Sequence, residues 1–308
     1  MSQKSQVLII FLWVLVALAV ITLSLGDRIF IILKFANNRK SLLKADRLAY
    51  AGVNFAIAEL KKDNPDFDSL TDAWADNQDA FEKIRLTENP LEYATIANEG
   101  KFGVIDEERK ININKASKEL LLALLEYYEI PAPQEIANNL LIWRGDSPDN
   151  EMLYDNLGYP AKARPFANIA ELMLVKGIDA EAFNKIHNAI TVYGNGGINI
   201  NTAPEETIEI LCRSLAKQNN ANESSSKAVA DEFLSLRNAK LAFKDKAEIT
   251  LSFTDSDELN IFNEFLNTGQ LKSENFLIEV KGNTGKIKSK VSIVYNRKDN
   301  SIKSYYEG

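Results

Sequence analysis

The feature that most constrains this chain is an uncharged apolar run near its N-terminus. From Gln6 to Gly26 the sequence reads QVLIIFLWVLVALAVITLSLG. At about 1.5 Å per residue, about twenty such residues cross the roughly 30 Å hydrocarbon core of a bilayer. A secretory signal peptide usually has a shorter apolar region, followed by small residues at a cleavage site. The run therefore predicts a membrane-spanning anchor at residues 6–26.

The anchor continues into a longer helix. After Asp27-Arg28 the chain resumes as IFIILKF and passes into a charged segment without a proline. Apolar residues then recur at helical spacing, so one face of this segment can pack against a folded body. They are Leu42, Leu43, Ala49, Val53, Ile57 and Leu60. We predict one helix from about residue 7 to residue 61.

Charge is unevenly distributed along the chain. Residues 1–47 contain seven Lys or Arg and two Asp, so they carry a net charge of +5, and the total of −7 leaves −12 on residues 48–308. Because binding to nucleic-acid phosphates depends on Lys and Arg contacts, this acidic body does not favour nucleic acid. Lys4 favours a cytoplasmic N-terminus, whereas the basic residues after the anchor favour the reverse, so charge leaves the orientation open.

The residues that could support catalysis are few. Cys212 is the only cysteine, which excludes an internal disulfide, and His187 is the only histidine, which argues against a histidine zinc site or a serine–histidine triad. Both lie in helical patterns, and Cys212 falls on an apolar helix face, where it is expected to pack as a small hydrophobic residue. We predict no catalytic residue and no enzyme activity.

The body begins and ends with strand patterns. The anchor helix is expected to end near Asn64-Pro65, since proline disfavours helical geometry in the residue before it. Residues 93–97, a turn at 98–100 and residues 102–105 predict a hairpin. Near the C-terminus, alternating apolar residues and turns at 283–285 and 298–300 predict a three-stranded meander. Such a sheet needs a cover on one face, and the N-terminal helix is available for this role.

Between these strands the chain carries an internal repeat. ININKASKELLLALL begins at Ile111, and ININTAPEETIEIL begins at Ile198. In each copy an extended stretch leads into a helix. We expect Ser117 or Asn114 to cap the first helix and Thr202 to cap the second, with Pro204 in its first turn. The intervening sequence predicts further helices, so residues 110–265 form a mainly helical unit.

Two features of the helical unit concern disorder and nucleic acid. The segment KQNNANESSSK at 217–227 has the composition of a disordered stretch. The unit also resembles helix-hairpin-helix modules, whose DNA-binding members offer glycine-rich backbone N–H groups to phosphate. Here the first hairpin, YYEIPAPQEI, has no glycine, and the second, VKGIDAEA, has one glycine followed by two acids. The phosphate-binding version of the hairpin is therefore not expected.

The N-terminus resembles that of type IV pilins and pseudopilins, in which a short leader precedes an apolar run that continues as an amphipathic helix. In that family a prepilin peptidase cuts before the apolar run, normally after a glycine, the new N-terminus is methylated, and the fifth mature residue is usually a glutamate. Aligning the apolar runs puts Ser5 at the glycine position, Gln6 at the first mature position and Ile10 at the glutamate position. An uncleaved signal anchor is the alternative.

An apolar residue at the fifth position is similar to one subclass, the minor pseudopilin GspK of type II secretion. The order of segments also resembles this family over nearly the whole chain: the anchor, DEERKININKAS, IWRGDSPDN, ANIAELMLVKGI, ININTAP and the final meander. The resemblance implies an α+β fold in which the long helix packs on a small antiparallel pilin-like sheet. A large, mainly α-helical insertion with helix-hairpin-helix-like or SAM-like units would interrupt this body.

The resemblance also implies the domain organisation. The predicted segments are 1–5 leader, 6–26 transmembrane segment, 27–61 periplasmic continuation of the helix, 62–109 first part of the pilin-like body, 110–265 inserted helical domain and 266–308 C-terminal β-meander.

By the same resemblance the protein would sit at the tip of a periplasmic pseudopilus, prime its assembly and support export of folded proteins. It would span the bacterial inner membrane once, with a cytoplasmic N-terminus and a periplasmic body. The implied partners are the minor pseudopilins I and J, the inner-membrane secretion platform and the prepilin peptidase. The alternative function is that of a membrane-anchored helix-hairpin-helix protein that binds nucleic acid, as in DNA uptake.

Some members of the family bind calcium, although no cofactor is required by the resemblance. The candidate here is the loop GDSPDNE, which offers oxygen ligands of the kind calcium prefers. The candidate ligands are Asp146, Asp149, Asn150 and Glu151. A solvated acidic loop without a metal is the alternative, since the spacing departs from that of an EF-hand.

Overall fold

A single helix dominates the N-terminal part of the chain. The computed structural model describes residues 3–63, 66–98, 100–147, 154, 158–285 and 287–308. Helix α1 spans Gln3–Lys62 without interruption, which confirms the prediction of one helix through residues 7–61. Its apolar first half extends away from the body, whereas its second half packs on a sheet.

The other α-helices and strands that the structure describes are all shorter than α1. In chain order they are α2 (Gln78–Phe81), β1 (Glu92–Ile96), β2 (Ile105–Asp106), β3 (Ile111–Asn112), α3 (Lys118–Tyr127), α4 (Pro133–Trp143), α5 (Ala180–Ile186), β4 (Ile190–Thr191), β5 (Ile198–Asn199), α6 (Glu205–Asn219), α7 (Glu223–Lys240), α8 (Ser256–Thr268), β6 (Gly269–Gln270), β7 (Asn275–Thr284), β8 (Lys288–Asn296) and β9 (Ser301–Glu307).

The main sheet is antiparallel and runs in the order β1-β7-β8-β9. Strands β7, β8 and β9 form the predicted meander, with Gly285 and Asn300 at positive φ in its turns. The cover is α1, as expected. Leu48, Val53 and Leu60 of the helix join a core with apolar side chains of the sheet, among them Phe276, Ile278, Val280, Val291, Ile293 and Tyr295.

The predicted hairpin at residues 93–105 is wrong in its pairing. The turn forms, because Asn98 and Lys101 exchange backbone hydrogen bonds of 2.9 and 3.0 Å. However, β1 and β2 do not pair with each other, and each pairs with β7 instead. The intervening residues bond to an earlier loop, since the Val104 amide donates to the Trp74 carbonyl at 2.8 Å. Because β7 has ten residues, its edge can pair with both β1 and β2. The local alternation of apolar residues does not reveal pairing with such a distant strand.

Helix and sheet approach closely at two glycines. A Cβ built on Gly282 of β7 would collide with the backbone carbonyl of Ala45 in α1. A Cβ on Gly52 of α1 would lie 2.5 Å from a methyl carbon of Val280. Small residues therefore set the helix-to-sheet distance, because a side chain at either site would have to displace its neighbour.

The helical region contains the internal repeat as two copies of one structural unit. In the first copy β3 pairs with β4, and in the second β5 pairs with β6, both in parallel. In each copy the helices lie between the two paired strands in chain order, and the two copies share one hydrophobic core. The architecture is the predicted α+β class, in which the helices are inserted between β2 and β7 of the sheet.

Equivalent asparagines hold equivalent loops in the two copies. Asn114 accepts the amide of Phe166 at 2.7 Å and donates to the carbonyl of the same residue at 2.9 Å. Asn201 makes the same pair of bonds to Phe243, at 3.0 and 2.8 Å. Each asparagine thus pairs both backbone groups of a buried or part-buried phenylalanine segment, and Asn201 also donates to the Asp68 carbonyl at 3.1 Å.

Buried arginines complete the correspondence. Arg144 donates through Nη1 to the Ile113 carbonyl at 2.7 Å, and Arg237 donates through Nη1 to the Ala203 and Ile200 carbonyls at 2.6 and 3.2 Å. Each guanidinium therefore satisfies backbone acceptors just after a repeated strand. Burying these charges is tolerated because they are hydrogen-bonded.

Three local expectations are settled by this region. Ser117 caps α3 by accepting the Leu120 amide at 3.1 Å, as predicted. Thr202 does not cap α6, because Pro204 occupies the N-cap position and the Thr202 hydroxyl is used elsewhere. Residues 217–227 are ordered, contrary to prediction, since they form the end of α6, a turn at Asn220 and the start of α7. Tertiary packing overrides the polar composition there.

Candidate functional site: the membrane anchor and the buried acidic junction

The first half of α1 presents an apolar surface that the rest of the chain leaves uncovered. The helix is long and apolar enough to cross a membrane, with a mean hydropathy of 3.0 in its most apolar window. That window is not buried by the body, and the exposed side chains continue from Val7 to Phe35. This geometry fits a single-pass anchor, because a soluble helix of this composition would be covered by its own core.

The predicted processing residues lie at the start of this helix. Ser5 and Gln6 are both within α1, and Gln6 is exposed. Ile10 is one turn further along and is 64% exposed. The structure places Ile10 on the apolar surface of the anchor. Processing after Ser5 stays a prediction.

The predicted calcium ligands lie mostly outside the described residues. Asp149, Asn150 and Glu151 lie outside the described residues, so the arrangement of the four candidates is not tested. Asp146 is described, and Arg144 donates to it through Nε at 2.6 Å. This guanidinium already supplies a positive charge beside the one described carboxylate. The calcium site therefore stays a prediction.

A second group of carboxylates lies between α1 and the sheet. Oxygens of Asp63, Asp68 and Asp72 approach within 4.8 Å of one another. Arg297 binds Asp68 at 2.7 Å, and burial raises the pKa of Asp68 despite that partner. Trp74 donates to Asp63 at 2.9 Å. Asp72 accepts the amide and the hydroxyl of Ser69 at 2.6 and 3.0 Å, so donors of the chain itself contact all three carboxylates.

The most concentrated polar site is the segment DEER at 106–109, and its first member is fully buried. Oδ2 of Asp106 accepts hydrogen bonds from Thr202 at 2.6 Å, Ser273 at 2.7 Å and Asn199 at 3.0 Å, while Oδ1 accepts the Glu108 amide at 2.7 Å. Burial raises the pKa of Asp106 to about 7, even though the Thr202 and Ser273 hydrogen bonds act in the opposite direction.

The next two acids of this segment bind other parts of the chain. Glu107 accepts the Thr191 hydroxyl at 2.6 Å and pairs with Lys110 at 2.7 Å. Glu108 accepts the side-chain amide of Asn275 at 2.7 Å, together with backbone amides at the start of β7. We call Asp106, Glu107 and Glu108 the acidic junction, because they connect the sheet to both copies of the helical repeat.

The acidic junction can fix the insertion on the sheet, but it has the geometry of a structural network. Its oxygens are occupied by donors of the chain itself, and buried polar groups of this kind are costly to leave unpaired. Sequence reasoning missed it. The available signal was three consecutive acids, two residues before the first repeat, together with Asn199 at the second position of the second ININ.

The residues weighed for catalysis or nucleic-acid binding have structural roles. Cys212 is fully buried, and burial raises the pKa of its thiol, which removes the reactive thiolate form. His187 stacks on Phe183 at the end of α5. In the second hairpin, Asp179 caps α5 by accepting the Ala182 amide at 2.8 Å. A carboxylate thus occupies the helix end where a phosphate would bind.

Comparison with known proteins gives a match at the level of structure. No family model and no curated protein matches the chain. Among solved structures, the fold is similar to that of a chain in the GspK-GspI-GspJ complex from the type 2 secretion system of enterotoxigenic Escherichia coli. The TM-score is 0.64 and the sequence identity is 17%. The match covers 89% of this chain and 99% of that chain.

At this identity the likeness establishes the fold. It confirms the α+β architecture implied by the sequence resemblance, since the match extends over nearly the whole of the other chain. The solved chain is part of a secretion complex. For the present chain the likeness shows the fold alone, and its role has to be argued from its own residues.

Proposed function

We propose that this chain is a GspK-type minor pseudopilin of a bacterial type II secretion system. The observation that carries the proposal is the combination of an uncovered apolar N-terminal helix with a sheet that is interrupted by a large helical insertion, in a fold similar to a chain of the GspK-GspI-GspJ complex. In this role the chain spans the inner membrane once, with its body in the periplasm. It has no catalytic function.

The partners follow from the same comparison. The chain binds the minor pseudopilins I and J and caps the pseudopilus, priming its assembly so that folded proteins are exported. The apolar surface of α1 from Val7 to Phe35 supports helix-to-helix packing in such a filament, since the body leaves it free. The inner-membrane platform and the prepilin peptidase would act on the same helix.

The alternative of a membrane-anchored nucleic-acid receptor has less support. In this chain the hairpins carry acids near the helix ends. In the second hairpin the Asp179 carboxylate caps the start of α5 and occupies the position that a phosphate would use. The acidic charge of residues 48–308 also opposes DNA.

Co-purification tests the proposal. The full chain is expressed with the pseudopilins I and J of the same organism, extracted from the membrane and isolated through a tag on this chain. We expect a three-protein complex, and intact-mass analysis of the chain is expected to show a methylated N-terminus at Gln6. Recovery of the chain alone under these conditions would refute the partnership, and an intact Met1 would show an unprocessed anchor.

The calcium proposal is tested separately. A calcium titration of the melting temperature, with Asp146→Asn as the comparison, shows whether the loop binds the ion. An unchanged melting temperature would remove the site from consideration.

A further inference from the structure

One end of the sheet faces the anchor. It comprises the loop 85–91, the turn between β7 and β8, and the C-terminal end of β9, and we call it the proximal end. Two contacts fix its position: the Thr284 hydroxyl donates to the Ser41 carbonyl at 3.4 Å, and Lys44 pairs with Glu92 at 2.7 Å. Because α1 is one continuous helix, the proximal end points toward any bilayer that the anchor crosses.

Helix geometry brings the proximal end toward the lipid headgroups when the helix tilts. Residues 6–26 are about 31 Å long as a helix, which already fills the hydrocarbon core. Residues 27–35, apolar except for Asp27, Arg28 and Lys34, add about 13 Å, so the largely apolar stretch is longer than that core. Ser41 lies only about 9 Å beyond Phe35 along the helix. Since an apolar helix longer than the hydrocarbon core tilts, the body leans toward the membrane.

The proximal end exposes apolar side chains that the body does not use. Leu86 is 59% exposed, Leu91 is 60% exposed and Tyr306 is 64% exposed. Leu91 projects beside the turn at Gly285. Leucine and tyrosine at such a position suit the boundary between headgroups and acyl chains.

The same end carries cations without partners. Arg39, Lys40, Arg85 and Lys288 are exposed, and none forms an ion pair within the part of the chain that the structure describes. The acids nearby are Glu88, Glu92, which pairs with Lys44, and Glu307, which accepts the Tyr305 hydroxyl. Residues 48–308 as a whole carry −12, so the basic end is the one that an anionic surface would attract.

We propose that the proximal end docks on the surface of an anionic phospholipid bilayer, with Leu86, Leu91 and Tyr306 at the headgroup boundary and Arg39, Lys40, Arg85 and Lys288 on lipid phosphates. The occupant is the bilayer that holds the anchor, because the surface is continuous with the exposed apolar face of α1. Docking would hold the tilted body against the membrane until assembly lifts it away. The proposal requires the anchor and does not require the partners named above.

The test uses the full chain in nanodiscs of phosphatidylcholine alone or mixed with phosphatidylglycerol, with hydrogen–deuterium exchange of residues 84–92 as the readout. We expect exchange to be slower in the anionic discs and to return to the phosphatidylcholine rate in high salt. Equal rates in the two lipids would overturn the proposal. Protection that instead increases with the number of chains per disc would assign the surface to a second copy, and that too would overturn it.

Matched variants distinguish the effect of removing cations from the proximal end from the effect of removing exposed cations elsewhere on the body. The test variant carries Arg39→Gln, Lys40→Gln and Lys288→Gln, and the control carries Lys101→Gln, Lys118→Gln and Lys227→Gln, which are also exposed. Each cation removed from the proximal end is expected to weaken docking about fivefold. The control should keep the protection. Equal loss in both variants would contradict the proposal, while exchange of β7 and β8 reports whether each variant is folded.

A second variant tests the apolar contribution. Leu86→Ser with Leu91→Ser is expected to reduce the protection in anionic discs while leaving the chain anchored in the disc. Full protection in this variant would show that these leucines do not reach the lipid, against the proposal. Loss of the chain from the disc would instead concern the anchor, which the co-purification experiment examines independently.

Discussion

The hydroxyl of Thr202 donates a 2.6 Å hydrogen bond to Asp106, although the two residues are 96 positions apart. Asp106 ends β2 of the sheet, whereas Thr202 follows the second ININ of the helical region. Ser273, which leads back into β7, binds the same carboxylate oxygen at 2.7 Å. One buried carboxylate therefore holds the insertion to the sheet at the point where the chain leaves the sheet and where it returns.

This carboxylate predicts a pH dependence of stability. Burial raises the pKa of Asp106 to about 7 in the folded chain, compared with about 3.9 in an unfolded one. The folded chain thus binds this proton more tightly, so the group's contribution is complete below about pH 4 and is lost as the pH rises through about 7. We expect the free energy of unfolding to fall by up to about 1.4 kcal/mol per pH unit between these limits.

Urea unfolding of the solubilised chain across this pH range measures the effect. Thr202→Val removes a hydrogen bond that lowers the pKa of Asp106, so the loss of stability should shift to higher pH. Asp146→Asn, at a half-exposed carboxylate, is the control and should leave the pH profile in place. A profile that is the same in the wild type and in Thr202→Val would show that Asp106 does not titrate in this range.

The close approach of α1 to the sheet predicts different costs at two glycines. Gly282→Ala should destabilise the chain by about 1–3 kcal/mol, because the new Cβ meets the rigid Ala45 carbonyl. Gly52→Ala should cost less, since its Cβ meets a Val280 side chain and alanine favours the helix by about 0.5–1 kcal/mol. Urea unfolding of both variants checks the order, and a larger loss at Gly52 would contradict this packing.

How well the sequence predicted each part of the fold depends on how far apart along the chain the interacting residues lie. Helix α1 and the meander depend on patterns within a few residues, and both are confirmed. The pairing of β1 failed because its partner is β7, nearly 190 residues later, and local alternation contains no information about that choice. The segment 217–227 failed in the same way, since its polar residues are ordered by helices packed around them.

The equivalent asparagines of the two copies predict that replacing either one destabilises the chain in the same way. Asn114→Ala and Asn201→Ala each leave two backbone groups of a phenylalanine segment without a partner, and each unsatisfied buried group costs about 1–3 kcal/mol. The loss should be larger for Asn201, which is 2% exposed and also binds the Asp68 carbonyl. Asn195→Ala is the control, since Asn195 is exposed and accepts the Gly197 amide at the surface. Equal stability of Asn201→Ala and this control would refute the role.

The acidic junction shows why the site was harder to predict than the fold. Three consecutive acids are usually a solvated face, and the donors that bury these three come from distant residues, among them Thr191, Thr202 and Asn275. The repeat itself was visible in the sequence, but the bonds from Asn114 to Phe166 and from Asn201 to Phe243 depend on loops outside the matching segments. Sequence similarity located the two copies, and the structure shows what they share.

The last prediction concerns Ile10 at the start of the anchor. In the pilin family that the N-terminus resembles, a glutamate at this position pairs with the N-terminal amine of a neighbouring subunit, whereas under the proposed function this chain is the tip subunit and has no neighbour above it. Ile10→Glu would put a carboxylate on a surface that is otherwise apolar, at a cost of up to about 3 kcal/mol within a bilayer. We expect it to reduce recovery of the complex with I and J and to impair secretion, whereas Ile10→Leu should preserve both. Leu12→Glu is the matched control for the charge alone. If Ile10→Glu and Leu12→Glu reduced recovery equally, the effect would come from placing a charge in the membrane, and position 10 would have no special role in assigning the chain to the tip.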